Sequence, residues 1–283
     1  MPSISVIIPT LSDADAALTD ALRLQTLPPD EIEVVRGVRP NGRARNLGAA
    51  RTRGEILVFI DDDARPASPR LIEKLVEPLR SDAIVGATGA ARLIPPGSSR
   101  FQRWVARQVP RVENPVARAP VESRPGPENY FFCDITTTCC AMLRARYDEI
   151  GGFDEELVQG VDTDFFIRMS RAGYRMILVP DLWVYHPAPA SLAALARKHF
   201  RYGYGHAQAV RRDPSRARRL EKHPLLYLLL RSALLVPHVF LPFSYAEPRR
   251  LPGFRPLKAI ASYSSALGYV WGRWSAKERR SAG

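Results

Sequence analysis

The chain has 283 residues with a formal charge of +12, and its apolar fraction of 46% and charged fraction of 25% are those of a folded protein. That length allows one sizeable core plus an appendage. The charge is uneven: residues 201–283 hold 16 basic and 4 acidic residues, while residues 1–200 hold 25 of each.

The first predicted element is a buried strand over Ile4-Ser5-Val6-Ile7-Ile8, ending at Pro9-Thr10. Because a strand begins at once, no leader peptide is expected. Ser12 is a candidate cap for a helix through Leu18, Leu22 and Leu24, which Pro28 and Pro29 stop. Glu31–Val35 reads as a second strand, and Asn41-Gly42 as a turn. A second helix is predicted over Ala44–Arg53, stopped by Gly54. Glu55-Ile56-Leu57-Val58-Phe59-Ile60 is a third strand, and it runs into Asp61, Asp62 and Asp63.

A strand that ends in three carboxylates concentrates negative charge at a sheet edge. Crowded carboxylates repel each other unless they share a cation. Oxygen ligands suit Mg²⁺ or Mn²⁺, which in turn hold nucleotide phosphates. The plainer alternative is a solvated acidic turn closed by Arg65 and Pro66. In an alternating strand–helix chain, the carboxyl ends of the strands are where ligands bind.

The segment from Gly42-Arg43-Ala44-Arg45-Asn46-Leu47-Gly48 to Ile60-Asp61-Asp62-Asp63 resembles family 2 glycosyltransferases with the GT-A fold. So do Gly151-Gly152-Phe153-Asp154-Glu155, Gly160-Val161-Asp162-Thr163-Asp164 and Val184-Tyr185-His186. The resemblance covers about two thirds of the chain and implies an α/β fold with a mostly parallel central sheet flanked by helices. It also implies inverting transfer from a nucleotide-diphosphate sugar with Mn²⁺ or Mg²⁺. Asp61 and Asp63 would be the outer residues of a DxD motif, and Asp61, Asp63 and His186 the metal ligands. Pro9, Thr10, Arg43, Arg45, Asn46, Asp61 and Asp62 would line the donor site. Arg43 and Arg45 read equally as surface charges, Asn46 as a local backbone cap, and His186 as the cap of a strand before Pro187.

Asp162 matches the family's catalytic base, which accepts the acceptor's proton. Val161 stands where relatives often carry Glu, which leaves Asp164 as a second candidate. Asp164 is also suited to the start of a helix. The acidic turn that usually follows the second strand is replaced by Arg36-Gly37-Val38-Arg39-Pro40, so the nucleobase is left open. A nucleotidyltransferase would share the metal cluster, but the Gly-rich phosphate loop expected of one is not seen. A non-catalytic scaffold of the same fold is the remaining alternative.

The segment from Pro95 to Tyr130, with Pro95-Pro96-Gly97, Pro125-Gly126-Pro127 and the apolar Phe101, Trp104 and Val105, is expected to form a lid or binding loop. Ser191–Arg201 is predicted as a helix carrying Arg197, Lys198 and Arg201, with Tyr202-Gly203-Tyr204-Gly205 as a hinge-like turn after it. Three cysteines, Cys133, Cys139 and Cys140, fit a reducing cytosol rather than a disulfide framework.

Residues 1–200 are therefore expected to form the catalytic domain, and 201–283 a basic, amphipathic helical region. Leu225 to Phe243, broken by Arg231, Pro237 and His238, and a later group of Tyr263, Tyr269, Trp271 and Trp274 suit the interface of an anionic membrane. Packing on protein is the alternative. The acceptor is expected to be a glycan or a lipid-linked molecule, the location the inner face of the cell membrane, and nucleic-acid binding is disfavoured because only charge supports it.

Overall fold

Two uninterrupted apolar runs set the centre of the sheet. A computed structural model describes residues 2–12, 16–123, 135–240 and 255–281. Strand β1 (Ile4–Thr10) and strand β3 (Ile56–Ile60) are buried along their whole length and pair in parallel. Strand β2 (Glu31–Arg36) pairs with the other side of β1, also in parallel. Helices α1 (Ala16–Arg23) and α2 (Asn41–Arg51) make the crossovers. Parallel neighbours need such crossovers, and helices on the faces bury the strands on both sides.

The remaining elements complete one eight-stranded sheet. They are β4 (Arg65–Pro66), α3 (Leu71–Ser81), β5 (Val85–Leu93), α4 (Arg100–Gln108), β6 (Val121–Ser123), β7 (Cys139–Leu143), α5 (Arg144–Ile150), α6 (Val161–Arg171) and β8 (Arg175–Tyr185). The strand order is β2-β1-β3-β7-β5-β8-β4, with β6 also on β8. The expectation of a mostly parallel sheet holds for β2-β1-β3 and for β5 with β8, but β7 runs antiparallel to both β3 and β5. The sheet is therefore mixed. The strand that fills its centre arrives late in the chain, after the long segment that follows β5.

The chain divides into two compact units. One comprises Met1–Pro95, Glu113–Leu157 and Val161–Pro187; the other comprises Pro96–Val112, Val158–Gly160 and Ala188–Gly283. The first holds the sheet and a core that includes Ile4, Val58, Leu75 and Val184. The second holds α4, α7 (Leu192–Arg212), α8 (Pro224–Phe240) and α9 (Pro256–Ser281), with short 3-10 turns at Pro214–Arg216 and Leu220–Lys222. Ala207, Val210, Tyr227, Ala266, Tyr269 and Val270 form its core where α7, α8 and α9 meet.

The Ser12 hydroxyl lies 3.5 Å from Asp62 Oδ2, and residues 13–15, between it and the described part of α1, lie outside the described residues. Three local expectations are corrected. Asn41-Gly42 is the first turn of α2 rather than a separate turn, with Pro40 as the residue before it. A Cβ on Gly42 would lie 2.4 Å from the Asp154 carbonyl oxygen, so the glycine serves a close approach. No hinge interrupts residues 202–205, because α7 continues to Arg212. Gly203 instead meets α9: a Cβ there would lie 1.8 Å from the Ser265 carbonyl oxygen. Finally, part of the expected lid is helix α4, capped by Ser99 and Gln102, with Val105 buried and Trp104 exposed. Its Pro125-Gly126-Pro127 stretch lies outside the described residues, as do Cys133 and residues 241–254.

Candidate active site

Parallel pairing of β1 and β3 puts both carboxyl ends at one edge of the sheet. The hydroxyl of Thr10, at the end of β1, donates to Asp62 Oδ2 at 2.5 Å. Pro9 is buried within β1 and offers no side-chain polar group. The Asp61 amide donates to the Thr138 carbonyl at 3.1 Å, and the Ala64 amide to the Asp61 carbonyl at 3.0 Å. The Arg65 guanidinium donates to the carbonyls of Asp62 and Ala64, each at 2.8 Å. The acidic turn is thereby fixed by main-chain bonds, with Asp63 exposed and Asp61 and Asp62 partly buried.

The two-residue strand β4 decides what those carboxylates meet. It pairs with the end of β8, Arg65 opposite Tyr185, and the His186 amide donates to the Leu93 carbonyl at 2.9 Å. His186 Nε2 consequently lies 3.3 Å from Asp63 Oδ1. Ligand atoms of Asp61, Asp63 and His186 all lie within 4.8 Å of one another. Two carboxylates and an imidazole at that spacing suit Mn²⁺ or Mg²⁺, both of which accept oxygen ligands.

Arg45 has a different place from a donor-lining residue. It is only 2% exposed and its guanidinium lies 2.6 Å from Asp61 Oδ1, with the Phe153 ring 5.9 Å away. It therefore acts on Asp61, in the way a buried partner orients a ligand. Arg43, one residue from a buried turn of the same helix, is exposed. It lines a cavity of about 590 Å³ with Gly37, Val38, Arg39, Leu47 and Glu155, beside the end of β2.

Asn46 is engaged on both sides of its amide. Its Oδ1 accepts from the Phe153 amide at 2.9 Å and the Tyr147 hydroxyl at 2.5 Å. Its Nδ2 donates to the Phe153 carbonyl at 2.8 Å and Glu155 Oε1 at 2.9 Å. Those four bonds use the amide's hydrogen-bonding capacity. Asn46 thus ties α2 to the Gly-Gly-Phe-Asp-Glu loop, a long-range contact rather than a local backbone cap, and it also lines the cavity beside Arg43. Tyr147 stays a donor because burial raises its phenol far above the ordinary range.

The two candidate bases are separated by their partners. Asp162 is partly exposed in the first turn of α6, and its Oδ1 accepts the Thr163 amide at 2.8 Å. Asp164 is only 7% exposed and its Oδ2 accepts from Arg168 Nε at 3.0 Å. Arg168 also donates to the carbonyls of Ile150, at 2.5 Å, and Gly152, at 2.7 Å. Asp164 therefore belongs to a brace under the loop. Val161 is buried and would touch a Cβ on Gly42 at 3.4 Å. An apolar side chain at that position suits the packing of α6 on α2.

Arg168 and Tyr147 are positioning residues that the sequence reading did not single out. The Asp164–Arg168 spacing of one helical turn was the available signal for the first. Nothing local marks Tyr147. The thiols of Cys139 and Cys140 are buried, and burial raises both, with the Asp61 charge adding to the shift. Protonated, enclosed thiols are not nucleophiles.

A family model described as "Glycosyltransferase like family 2" matches residues 1–205. The chain is 32% identical over 178 residues to the succinoglycan biosynthesis protein ExoM of Rhizobium meliloti, covering 59% of this chain and 52% of that protein. It is 26% identical over 155 residues to the O-antigen biosynthesis protein RfbC of Myxococcus xanthus, covering 53% of this chain. The chain spans about half the length of ExoM and 12% of RfbC. Its fold resembles that of the mannosyltransferase PcManGT of Pyrobaculum calidifontis, solved with GDP-Man and Mn²⁺. That comparison has a TM-score of 0.59 at 18% identity and covers 97% of this chain and 88% of that one. With a GT-A fold and a family match over residues 1–205, the chain belongs to glycosyltransferase family 2.

Proposed function

We propose that the chain transfers a sugar, with inversion, from a nucleotide-diphosphate donor to an acceptor hydroxyl, in a reaction that requires Mn²⁺ or Mg²⁺. The observation that carries this reading is the convergence of Asp61, Asp63 and His186 within 4.8 Å at the carboxyl edge of the sheet. These three side chains would hold the cation, which when bound offsets charge on the departing diphosphate. Thr10 and Ser12 fix Asp62, and Arg45 fixes Asp61, so the acidic turn meets the donor in one arrangement. The exposed Arg43, which lines the cavity beside the end of β2, would contact the donor, a reading supported by that cavity.

Asp162 is the base. The acceptor oxygen forms its bond to the anomeric carbon as the bond to the diphosphate oxygen breaks, and the hydroxyl proton passes to the Asp162 carboxylate. A single displacement of this kind inverts the anomeric centre. Asp164 holds the loop through Arg168 and is not itself the base.

The names of the relatives, succinoglycan and O-antigen biosynthesis proteins, favour a glycan acceptor of the cell envelope, including one carried on a lipid. A lipid-carried acceptor would place the reaction at the cytoplasmic face of the cell membrane.

The test is donor binding. The full chain is titrated with a panel of nucleotide-diphosphate sugars, with and without Mn²⁺, and thermal stabilisation is read out. One donor should stabilise the protein only when the cation is present, and Asp63→Ala should remove that dependence. Equal metal-dependent stabilisation of Asp63→Ala and the unaltered chain would overturn the assignment. His186→Ala should weaken the effect less, since two carboxylates remain.

A further inference from the structure

Helix α8 has two unlike faces. Tyr227 is buried against Tyr269 of α9, with ring centroids 5.9 Å apart, and Leu228 packs beside it. On the other side Leu225, Leu226, Leu229 and Leu230 are exposed by 60, 48, 67 and 40%. Their spacing of one, four and five residues puts them on a single stripe of the helix. On α9, Leu267, Trp271 and Trp274 repeat the pattern at helical spacing, with Trp271 and Trp274 exposed by 59 and 60%. Exposed leucine stripes of this length are rare on a soluble surface and mark an interaction site.

The charge next to the α8 stripe identifies what it meets. Arg219 and Lys222 are exposed immediately before the helix, together with Leu220. Acidic residues of the same stretch are turned to other uses. Glu221 is buried and bonded to His206 at 3.0 Å, and Asp213 holds Arg216 and Ser215. The surface therefore joins apolar side chains to positive charge with little acidic compensation. A protein interface would sort these differently, because lysine is depleted from interface cores. A helix with leucines on one side, bases at its start and tryptophans nearby is matched to lipid acyl chains below phosphate headgroups.

Among the described residues no helix is long and apolar enough to cross a membrane. Helix α8 covers 17 described residues and carries Arg231 partly exposed over the Tyr227 ring. We infer that the α8 stripe, assisted by the aromatic stripe of α9, lies flat in the interface of an anionic bilayer. Leucines enter the acyl boundary there, and Arg219 and Lys222 pair with lipid phosphates. The inference stands on this surface alone, so it survives or fails independently of the donor-binding test above.

Vesicle co-sedimentation of the full chain tests it, using phosphatidylglycerol-containing vesicles and pure phosphatidylcholine vesicles. The unaltered chain should bind the anionic vesicles, and added salt should weaken binding without abolishing it, because screening removes only the electrostatic share. Replacing Leu225, Leu226, Leu229 and Leu230 together by Ser should lower apparent affinity by about tenfold or more. The single variant Leu229→Glu, at the most exposed of the four positions, provides the same reading if the quadruple variant does not fold. Arg219→Glu with Lys222→Glu should remove the salt-sensitive part. Tryptophan emission should shift to the blue on binding. Failure of the unaltered chain to bind anionic vesicles would overturn the inference, as would undiminished binding by folded leucine variants. A concentration-dependent dimer that Leu229→Glu dissolves, in the absence of vesicle binding, would assign the face to a second copy of the chain instead.

Discussion

The Arg45 guanidinium lies 2.6 Å from the Asp61 carboxylate, and only 2% of Arg45 reaches solvent while 24% of the Asp61 side chain does. The pair joins the inside of α2 to the first residue of the acidic turn. A buried cation at this spot holds one carboxylate in place while Asp63 faces outward toward His186. Removing it should affect both folding and the proposed metal site.

Arg45→Ala should destabilise the protein by about 1–3 kcal/mol. That is less than the cost of breaking a fully buried pair, because Asp61 can recover some hydration. Arg45→Lys keeps the charge but offers a different donor geometry, so it should restore stability better than it restores metal-dependent donor binding. Chemical denaturation and donor titration on the two variants separate these effects. If Arg45→Lys recovers donor binding in full, a charge at this position is sufficient and its geometry is unimportant.

Asp162→Asn and Asp164→Asn should fail in different ways. Loss of a general base lowers transfer by roughly 10²-fold or more, so Asp162→Asn should keep its stability and donor affinity and lose turnover. Asp164→Asn weakens the bond to Arg168, which holds the carbonyls of Ile150 and Gly152. It should lower stability by about 1–3 kcal/mol, the range for losing a charged hydrogen-bond partner in a buried setting. A larger loss of turnover in a stable Asp164→Asn protein would reverse the two roles.

Gly268→Ala should destabilise the helical unit even though alanine is the better helix former. The intrinsic gain is about 1 kcal/mol. Against it, a Cβ at this position would lie 1.9 Å from the Phe200 carbonyl oxygen, a backbone atom that cannot move aside without shifting α7. Overpacking of this kind costs about 1–3 kcal/mol or more, so the melting temperature should fall. An unchanged or raised melting temperature would mean that α7 and α9 adjust freely.

Acid should weaken the protein in two separable windows. Burial, aided by the Lys198 charge, lowers the His199 pKa from 6.5 to about 4. The unfolded chain therefore binds a proton that the folded chain refuses between those values, and stability falls as pH drops from about 6.5 to about 4. His199→Gln should flatten that part of the profile. Glu221 acts lower. Burial pushes its carboxyl up, but the His206 hydrogen bond and charge, with the Arg218 amide and charge, outweigh it and leave it below 4.5. Its contribution is present above 4.5 and is lost as pH falls through the folded value. Denaturation midpoints across pH for the unaltered chain and His199→Gln decide the point: an identical slope between pH 6.5 and 4.5 would exclude His199.

Much of the catalytic fold follows from short-range pattern. The buried strands Ile4–Thr10 and Ile56–Ile60 and the acidic turn after them are legible because an apolar run ending in carboxylates has few structural interpretations. The order of the later motifs points to the family, since motif spacing is written along the chain. What the sequence could not decide is which of its polar residues face inward. Arg45 and Arg43 are neighbours on one helix; only the packing of α2 on the sheet buries the first and exposes the second. Asn46 is likewise set by partners from a distant segment, Tyr147, Phe153 and Glu155, whereas Asp162 and Asp164 differ in burial. The glycines at 203 and 205 show the same limit. A glycine pair reads as a hinge until Gly203 is seen against α9 and Gly205 against the backbone of Gln159, because the same missing side chain permits either bending or close approach. His186 reaches Asp63 only because β4 pairs with β8, and long-range strand pairing is set by the whole sheet rather than by any local run of residues.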